Sequence, residues 1–290
     1  MRTLVVLAVA SLVAAALGPT VHGDAFPVIV VDDRGQEVVI PSEPQRIVAI
    51  GALYAQIVVD LGAVGRLVGV ADSPENPPEA DGIASVGASF APSVEVIVSL
   101  APDLVLGASD WSGDRAALES VGIVVLSTPL LTSVGDVLST VRTLGEALGA
   151  AQAAAQIIGS IAEEIVRIEA EALGAEPVRA AFLYPATPGD PPYAAGGDSI
   201  ESELLFRAGA VNVFAGLSGF PQVSLESIIA RDPEIIFTAD SQVETLLGTA
   251  ALGGVSAVRD GLVVGVKAAD ATSTRVAALL RTMVDALLGR

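Results

Sequence analysis

Short apolar runs alternate with predicted helices along most of this chain. Residues 46–50 (RIVAI) and 67–70 (LVGV) are short, apolar and rich in β-branched residues, which predicts buried strands. Residues 54–61, which Gly62 closes, and residues 133–144 are predicted helices. Apolar strands between helices are typical of parallel sheets that are covered on both faces. The pattern therefore predicts an α/β fold.

One sequence pattern occurs twice, at residues 90–106 (FAPSVEVIVSLAPDLVL) and 220–237 (FPQVSLESIIARDPEIIF). A serine N-cap, a glutamate in the first helical turn and a proline that ends the helix occupy equivalent positions: Ser93, Glu95 and Pro102, and Ser224, Glu226 and Pro233. An acidic residue and a short apolar strand follow each proline. Two copies of one helix–strand unit, far apart in the chain, predict two similar lobes.

A longer helix is predicted between the two copies, at residues 150–173. Its apolar positions recur at alternating intervals of four and three residues: Ala154, Ile158, Ile161, Ile165, Ile168 and Ala172. At 1.5 Å per residue the helix would be roughly 35 Å long, about the width of a domain, and is interpreted as a rigid spine. The predicted organisation is a signal peptide (1–23), an N-terminal lobe (24–147), the spine (148–174) and a C-terminal lobe (175–290).

The first residues have the pattern of a secretory signal peptide, with Arg2, an apolar run at 4–17 and cleavage expected before Asp24. The apolar run is short for a membrane span. The chain has no cysteine, so it lacks disulfides, thiolate metal sites and a lipoprotein cysteine. These features predict a periplasmic or extracytoplasmic protein that carries no lipid anchor.

Charge and histidine content exclude several functions. The chain has 34 acidic and 15 basic residues, and removal of Arg2 with the leader leaves 14 minus 34, or −20, which repels nucleic acid. The single histidine, His22, lies in the leader, so histidine-dependent catalysis and histidine-liganded zinc or haem are excluded. A carboxylate-dependent hydrolase remains as an alternative, and no cofactor is expected.

Aromatic residues in loops at strand-to-helix junctions are the candidate ligand contacts: Tyr193, Phe220, Trp111 and Phe90. Aromatic faces at such junctions can stack on a flat ligand. The alternative for each ring is that it closes the end of a lobe, and this alternative is preferred for Phe90. Tyr193 lies in a loop rich in proline and glycine, residues 185–197, whose main-chain groups are expected to orient the ligand.

Acidic residues near predicted helix starts have structural or binding interpretations. Glu95 and Glu226 complement helix dipoles, which stabilises a helix by about 0.3–1 kcal/mol. Equivalent carboxylates in two lobes also suit a two-lobed partner that carries arginines. Asp198 and Glu201 are predicted to form a capping box for a helix over residues 200–207.

The order and spacing of PQRIVAI, PSVEVIVSLAPDLVL, YAAGGDSIESELLFRAGAVNVF and PQVSLESIIARDPEIIF resemble the periplasmic substrate-binding proteins of ABC importers. The resemblance is to the rigid-spine class (class III) that takes up cobalamin, haem and iron siderophores. It implies two Rossmann-like lobes joined by one long helix, ligand capture without chemistry, and a monomer. It also implies that Glu95 and Glu226 dock on arginines of the importer's membrane subunits.

Within that family, PPYAAGGDSI and GFPQVSLESI look most like vitamin B12 binders, which place aromatic rings against the corrin where Tyr193 and Phe220 fall. In the first lobe, Ser73, Ser89 and Ala108 stand where the resemblance implies further aromatic residues, and Trp111 is expected to compensate. The resemblance therefore implies a corrinoid ligand that these residues bind: Tyr193, Phe220, Trp111, Ser73 and Ser89. A ferric siderophore or haem is the alternative.

Overall fold

The computed structural model describes residues 26–108, 112–185 and 190–289. The density of internal contacts divides the chain into two compact units. Unit 1 comprises the described residues up to Leu131 together with Gly135–Ser160, and unit 2 comprises Thr132–Val134 and the described residues from Ile161 onward. The predicted signal peptide and Trp111 lie outside the described residues.

Unit 1 is built around one sheet and a separate hairpin. The strands are β1 (Val28–Val31), β2 (Glu37–Ile40), β3 (Ile47–Ala49), β4 (Leu67–Asp72), β5 (Ala84–Ala88), β6 (Ala91–Pro92), β7 (Leu104–Ala108) and β8 (Val124–Thr128). The helices are α1 (Ala52–Asp60), α2 (Val94–Ser99), α3 (Ser112–Ser120), α4 (Val134–Ala147) and α5 (Ala151–Ala172), the last two extending across the boundary between the units. The sheet order is β6-β5-β4-β3-β7-β8, with only the β5–β6 pair antiparallel.

Unit 2 repeats the central part of this arrangement. Its strands are β9 (Val178–Tyr184), β10 (Tyr193–Ala194), β11 (Ala210–Asn212), β12 (Ile235–Ala239) and β13 (Val263–Val266). Its helices are α6 (Ile200–Arg207), α7 (Leu225–Arg231), α8 (Val243–Leu247), α9 (Ser256–Arg259) and α10 (Val276–Leu288). The parallel order β11-β9-β12-β13 matches β4-β3-β7-β8 of unit 1, and β10 joins β9 antiparallel. The parallel α/β architecture is as predicted.

The predicted helix caps of the two repeat copies are present. Ser93 Oγ accepts a hydrogen bond from the N–H of Val96, and Ser224 Oγ accepts one from the N–H of Ser227. Both helices end in a residue with positive φ immediately before the proline, at Ala101 (45°) and Asp232 (38°). The two copies therefore share backbone conformation as well as sequence.

An arginine secures the end of each repeat helix, which the sequence pattern did not predict. Arg46, just before β3, donates to the carbonyls of Leu100 (2.6 Å) and Ala101 (3.0 Å). Arg179, in β9, donates to the carbonyls of Arg231 (2.7 Å) and Asp232. Side-chain donors satisfy carbonyls that a helix end leaves without intrahelical partners.

The acid after each proline completes the same arrangement. Asp103 accepts from the N–H of Arg46 at 2.9 Å, and Glu234 accepts from the N–H of Arg179 at 3.0 Å. Each acid also donates its own N–H to the carbonyl of that arginine. These contacts, which the two copies share, thus connect each helix end to the first central strand of its own unit.

Helix α5 carries the predicted apolar stripe, and every member of the stripe is buried: Ala154, Ile158, Ile161, Ile165, Ile168 and Ala172. The division between the two units falls within this helix, after Ser160. In unit 2 its polar face is held by ion pairs, because Glu171 binds Arg281 of α10 at 2.9 Å and Glu169 binds Arg207 of α6 at 2.5 Å. Among the described residues, the helices are all too short or too polar to cross a bilayer.

Candidate functional site

Three aromatic residues come together in unit 2, and we call Tyr184, Tyr193 and Phe220 the aromatic surface. Tyr184 ends β9 and lies opposite Tyr193 in the antiparallel β9–β10 register. The ring of Phe220 meets the ring of Tyr184 edge-on, with 5.8 Å between the centroids. Tyr193 is 39% exposed and Phe220 is 44% exposed, so neither ring closes the end of the lobe. Their exposed faces can stack on a flat ligand.

Main-chain hydrogen bonds between two loops support the aromatic surface. The N–H of Ala194 donates to the carbonyl of Pro221 (3.0 Å), and the N–H of Gly196 donates to that of Gly219 (2.8 Å). A Cβ atom on Gly197 would lie 2.1 Å from the carbonyl oxygen of Ala215. Only glycine allows this close approach of two backbones. The glycines of the loop are therefore required by its packing.

A buried acid lies behind Tyr184, and its position corrects the predicted capping box. The N-cap of α6 is Ser199, whose Oγ accepts from the N–H of Ser202 at 3.2 Å. Asp198 accepts from the N–H of Gly219 at 2.6 Å instead. Glu201 turns inward, where its Oε1 accepts from the Tyr184 hydroxyl at 2.8 Å. Burial raises the pKa of Glu201 above its ordinary value, and hydrogen bonding by its own N–H, by Tyr184 and by Ser199 opposes this only in part.

Tyr184 and Glu201 were not among the residues predicted from the sequence. Tyr184 is the last residue of a strand whose carboxyl end faces the loop that carries Tyr193, so its position was a usable signal. Glu201 occupies the buried stripe of α6 beside Ile200, Leu204 and Leu205. A glutamate at an apolar stripe position is a signal for a buried acid.

The predicted ligand residues of unit 1 are less concentrated. Ser73 is half-buried, and its Oγ accepts from the N–H of Glu75 at 3.1 Å. Ser89 is exposed in the turn between β5 and β6. Phe90, beside it, is 86% exposed, so the preferred interpretation that it closes the lobe is wrong. Trp111 lies outside the described residues.

The two glutamates of the repeat are exposed and lie in the first turns of their helices, Glu95 in α2 and Glu226 in α7. The pKa of Glu226 is lowered by its own N–H and by the Ser224 hydroxyl. Glu226 therefore carries its charge at neutral pH, and both side chains are accessible to a partner. Across the three described segments, no group of three histidine, cysteine or acidic residues is arranged to hold a metal ion.

The sequence profile of periplasmic binding proteins matches residues 47–269, which is most of the chain. The chain belongs to this family. Members of the periplasmic binding protein family capture solutes, so the protein is a binding protein and not an enzyme.

Individual relatives also match most of the chain. An uncharacterized ABC transporter substrate-binding lipoprotein of Bacillus subtilis, YvrC, is 30% identical, covering 75% of this chain and 70% of the relative. A cobalamin-binding protein of Halobacterium salinarum is 29% identical over 82% of this chain and 69% of its own length. Among solved structures, the apo periplasmic heme-binding protein RhuT of Roseiflexus sp. RS-1 is 25% identical, with a TM-score of 0.76, covering 83% of this chain and 98% of that one. These likenesses confirm the predicted class III binding-protein fold.

The relatives also correct the predicted localisation. A place outside the cytoplasm agrees with the periplasmic binding protein family. The prediction that the protein lacks a lipoprotein anchor is wrong, because the Bacillus subtilis relative is described as a lipoprotein. Lipid-anchored members thus occur among similar proteins, and the cysteine content of these 290 residues was not a sound basis for that prediction.

Proposed function

We propose that the protein captures a corrinoid on the aromatic surface and delivers it to an ABC importer. The observation that carries the proposal is the cluster of Tyr184, Tyr193 and Phe220, whose partly exposed rings suit a large flat ligand. The likeness to a cobalamin-binding protein supports the same ligand class. Ser73, Ser89 and Trp111 are the proposed contacts from the other half of the chain.

The test is isothermal titration of the chain with cyanocobalamin, comparing the parent with Phe220→Ala. Loss of one stacked ring should weaken binding roughly tenfold, since aromatic contacts contribute about 0.5–1.5 kcal/mol beyond the area they bury. Phe206→Ala is the matched control, because Phe206 is 61% exposed on α6 and lies outside the aromatic surface. Equal binding by Phe220→Ala and the parent would remove Phe220 from the site.

Haem is the second candidate ligand, favoured by the likeness to the heme-binding protein RhuT. The described residues contain no histidine, so a tyrosine of the aromatic surface would be the available iron ligand. Titration with haem, followed by visible absorbance, distinguishes this candidate from the corrinoid. Haem binding that Tyr193→Phe abolishes, without cyanocobalamin binding, would replace the corrinoid proposal.

Docking on the importer is proposed for Glu95 and Glu226, which suit arginines of its membrane subunits. The double variant Glu95→Lys/Glu226→Lys should no longer stimulate ATP hydrolysis by the reconstituted cognate importer, while its ligand affinity stays that of the parent. Glu79→Lys/Glu244→Lys is the control, because both glutamates are exposed and lie in the first turns of other helical segments. Loss of ligand affinity in the first variant would assign its glutamates to the binding site instead.

A further inference from the structure

A buried carboxyl group lies behind the aromatic surface and has no role in the function proposed above. Glu201 is 5% exposed. Its Oε1 accepts from the Tyr184 hydroxyl, while in the part of the chain that the structure describes its Oε2 is buried without a hydrogen-bond partner. An ionised carboxylate is costly in such a place, whereas a neutral acid loses far less on burial.

Tyr184 is the residue through which Glu201 reaches the aromatic surface. The Tyr184 ring lies 5.0 Å from the buried ring of Phe182 and 5.8 Å from the ring of Phe220, centroid to centroid. Its backbone pairs with Tyr193. A hydrogen bond that holds the Tyr184 hydroxyl therefore restricts a ring that contacts Phe220 and belongs to the strand that pairs with Tyr193.

The charged groups around α6 are engaged elsewhere. Helix α6 packs against β9, β11, α10 and the short helical segment Ala268–Thr272, and it contacts α5 through the ion pair between Arg207 and Glu169. The titratable residues of these elements, of α6 itself and of the preceding loop, together with the α5 residue in contact, are Glu169, Arg179, Tyr184, Asp198, Glu203, Arg207, Asp270, Arg281 and Asp285. Tyr184 donates a hydrogen bond to Glu201, and the nearby Ser199 hydroxyl and the N–H of Glu201 itself also favour the ionised carboxylate. Glu203 and Arg207 bind each other at 2.8 Å, and Arg281 binds Glu171.

We infer that Glu201 is a positioning residue for the ligand: as a neutral carboxylic acid it holds the Tyr184 hydroxyl, and with it the geometry of the aromatic surface. The inference rests on the proposed function, because it assumes that the ligand covers this surface. It adds that ligand binding is linked to the protonation of one identified group.

The direction of this linkage follows from solvation. A ligand on the aromatic surface excludes water from the neighbourhood of Tyr184 and Glu201, and desolvation disfavours the charged form of an acid. The bound protein then holds the Glu201 proton more tightly than the free protein does. Binding should take up protons where Glu201 of the free protein is partly ionised, and affinity should fall as the pH rises through that range.

Calorimetry measures this proton uptake directly. The chain is titrated with cyanocobalamin in two buffers of different ionisation enthalpy, over a series of pH values. The parent should take up protons and Glu201→Gln should take up none, because glutamine keeps the size and an acceptor oxygen for Tyr184 but does not titrate. Glu244→Gln, at an exposed first-turn glutamate of α8, should behave as the parent.

Tyr184→Phe tests the positioning itself. Loss of the hydroxyl should weaken binding about fivefold, the usual scale of one hydrogen bond, although the ring remains. In a Glu201→Leu background the same substitution should cost less, because leucine offers the Tyr184 hydroxyl no acceptor. Equal proton uptake by the parent and Glu201→Gln, or strictly additive effects of Tyr184→Phe and Glu201→Leu, would overturn the inference.

A measurement without ligand separates this inference from the proposed function. The pKa of Glu201 is raised in the folded chain, so its stabilising contribution is complete below the unfolded pKa and is lost as the pH rises through the folded pKa. Glu201→Gln should therefore gain stability relative to the parent as the pH rises. A difference that does not change with pH overturns the inference, whereas a changing difference without cyanocobalamin binding overturns only the corrinoid proposal.

Discussion

The two copies of the repeat share the contacts that hold them and differ in the residues that they display. In each copy an arginine binds the carbonyls at the helix end, Arg46 in one and Arg179 in the other. Four residues before the N-cap serine, however, the first copy has Ser89 and the second has Phe220. The two copies thus share the arginine contacts that hold the helix end, and they differ at the position where the ligand is proposed to bind.

The loops that precede the repeat helices α2 and α7 also differ between the two units. In unit 1, residues of β5 and β6 form a short hairpin, in which Gly87 has a φ of +90°. In unit 2, the corresponding antiparallel pairing joins Tyr193 and Gln222, which are far apart in the chain. The second arrangement brings two long loops together and so can present Tyr193 and Phe220 side by side. The aromatic surface therefore depends on loop-to-loop packing that unit 1 does not use.

The largest expected effect comes from breaking this packing. Gly197→Ala puts a methyl group against the backbone carbonyl of Ala215, which cannot move as a side chain does, and should destabilise unit 2 by about 3 kcal/mol and abolish ligand binding. Gly87→Ala meets no such obstruction and should cost only about 1 kcal/mol, from its positive φ. Urea unfolding of both variants measures the difference.

Gly159→Ala serves as the control for these glycine substitutions. Gly159 lies within α5, and nothing is within 4 Å of the Cβ position. This substitution should stabilise the protein by about 0.5–1 kcal/mol through helix propensity. If Gly197→Ala unfolded at the same urea concentration as Gly87→Ala, the proposed dependence of the aromatic surface on close backbone approach would be wrong.

A smaller effect is expected from the shared supports. Arg46→Ala and Arg179→Ala each remove hydrogen bonds from helix-end carbonyls that water can partly replace, so each should cost about 1–2 kcal/mol. Because the two arrangements are equivalent, the two losses should agree within about 0.5 kcal/mol in urea unfolding. Arg167→Ala, on the exposed side of α5, is the control and should be close to neutral. Unequal losses of stability would mean that the two copies are similar in sequence but are not stabilised equally by their arginines.

Local patterns in the sequence were sufficient for much of the fold. The apolar stripe of α5 and the N-caps Ser93 and Ser224 depend on residues within a few positions of each other, and all were predicted. The arginine supports were not, because Arg46 and Ala101 are 55 positions apart and nothing local to either indicates the contact. Long-range polar contacts depend on the tertiary arrangement of strands.

The candidate site could be predicted only in part for a related reason. Tyr193 and Phe220 were predicted as ligand contacts because they are aromatic residues in loops at strand-to-helix junctions, whereas Glu201 was assigned to a helix cap. The neighbouring Ser199 makes that cap equally well, and the local pattern did not distinguish the two possibilities. What decided the outcome was Tyr184, which offers the acid a hydrogen bond inside the unit.

The smallest predicted effect concerns the equivalent positions Ala101 and Asp232. Only Asp232 has a side-chain role: it accepts from the N–H of Ser256 (2.7 Å) and from its hydroxyl (3.0 Å), and the first of these bonds is the main reason that its pKa is lowered. A lowered pKa gives stability that is present above the unfolded pKa and is lost as the pH falls through the folded pKa. Asp232→Asn should thus cost less than about 1 kcal/mol at neutral pH, because the site is partly exposed, and the cost should vanish in acid. Ala101→Asn should show no such pH dependence in unfolding measurements. If the cost of both substitutions fell in the same way toward acid pH, Asp232 would not distinguish the two copies.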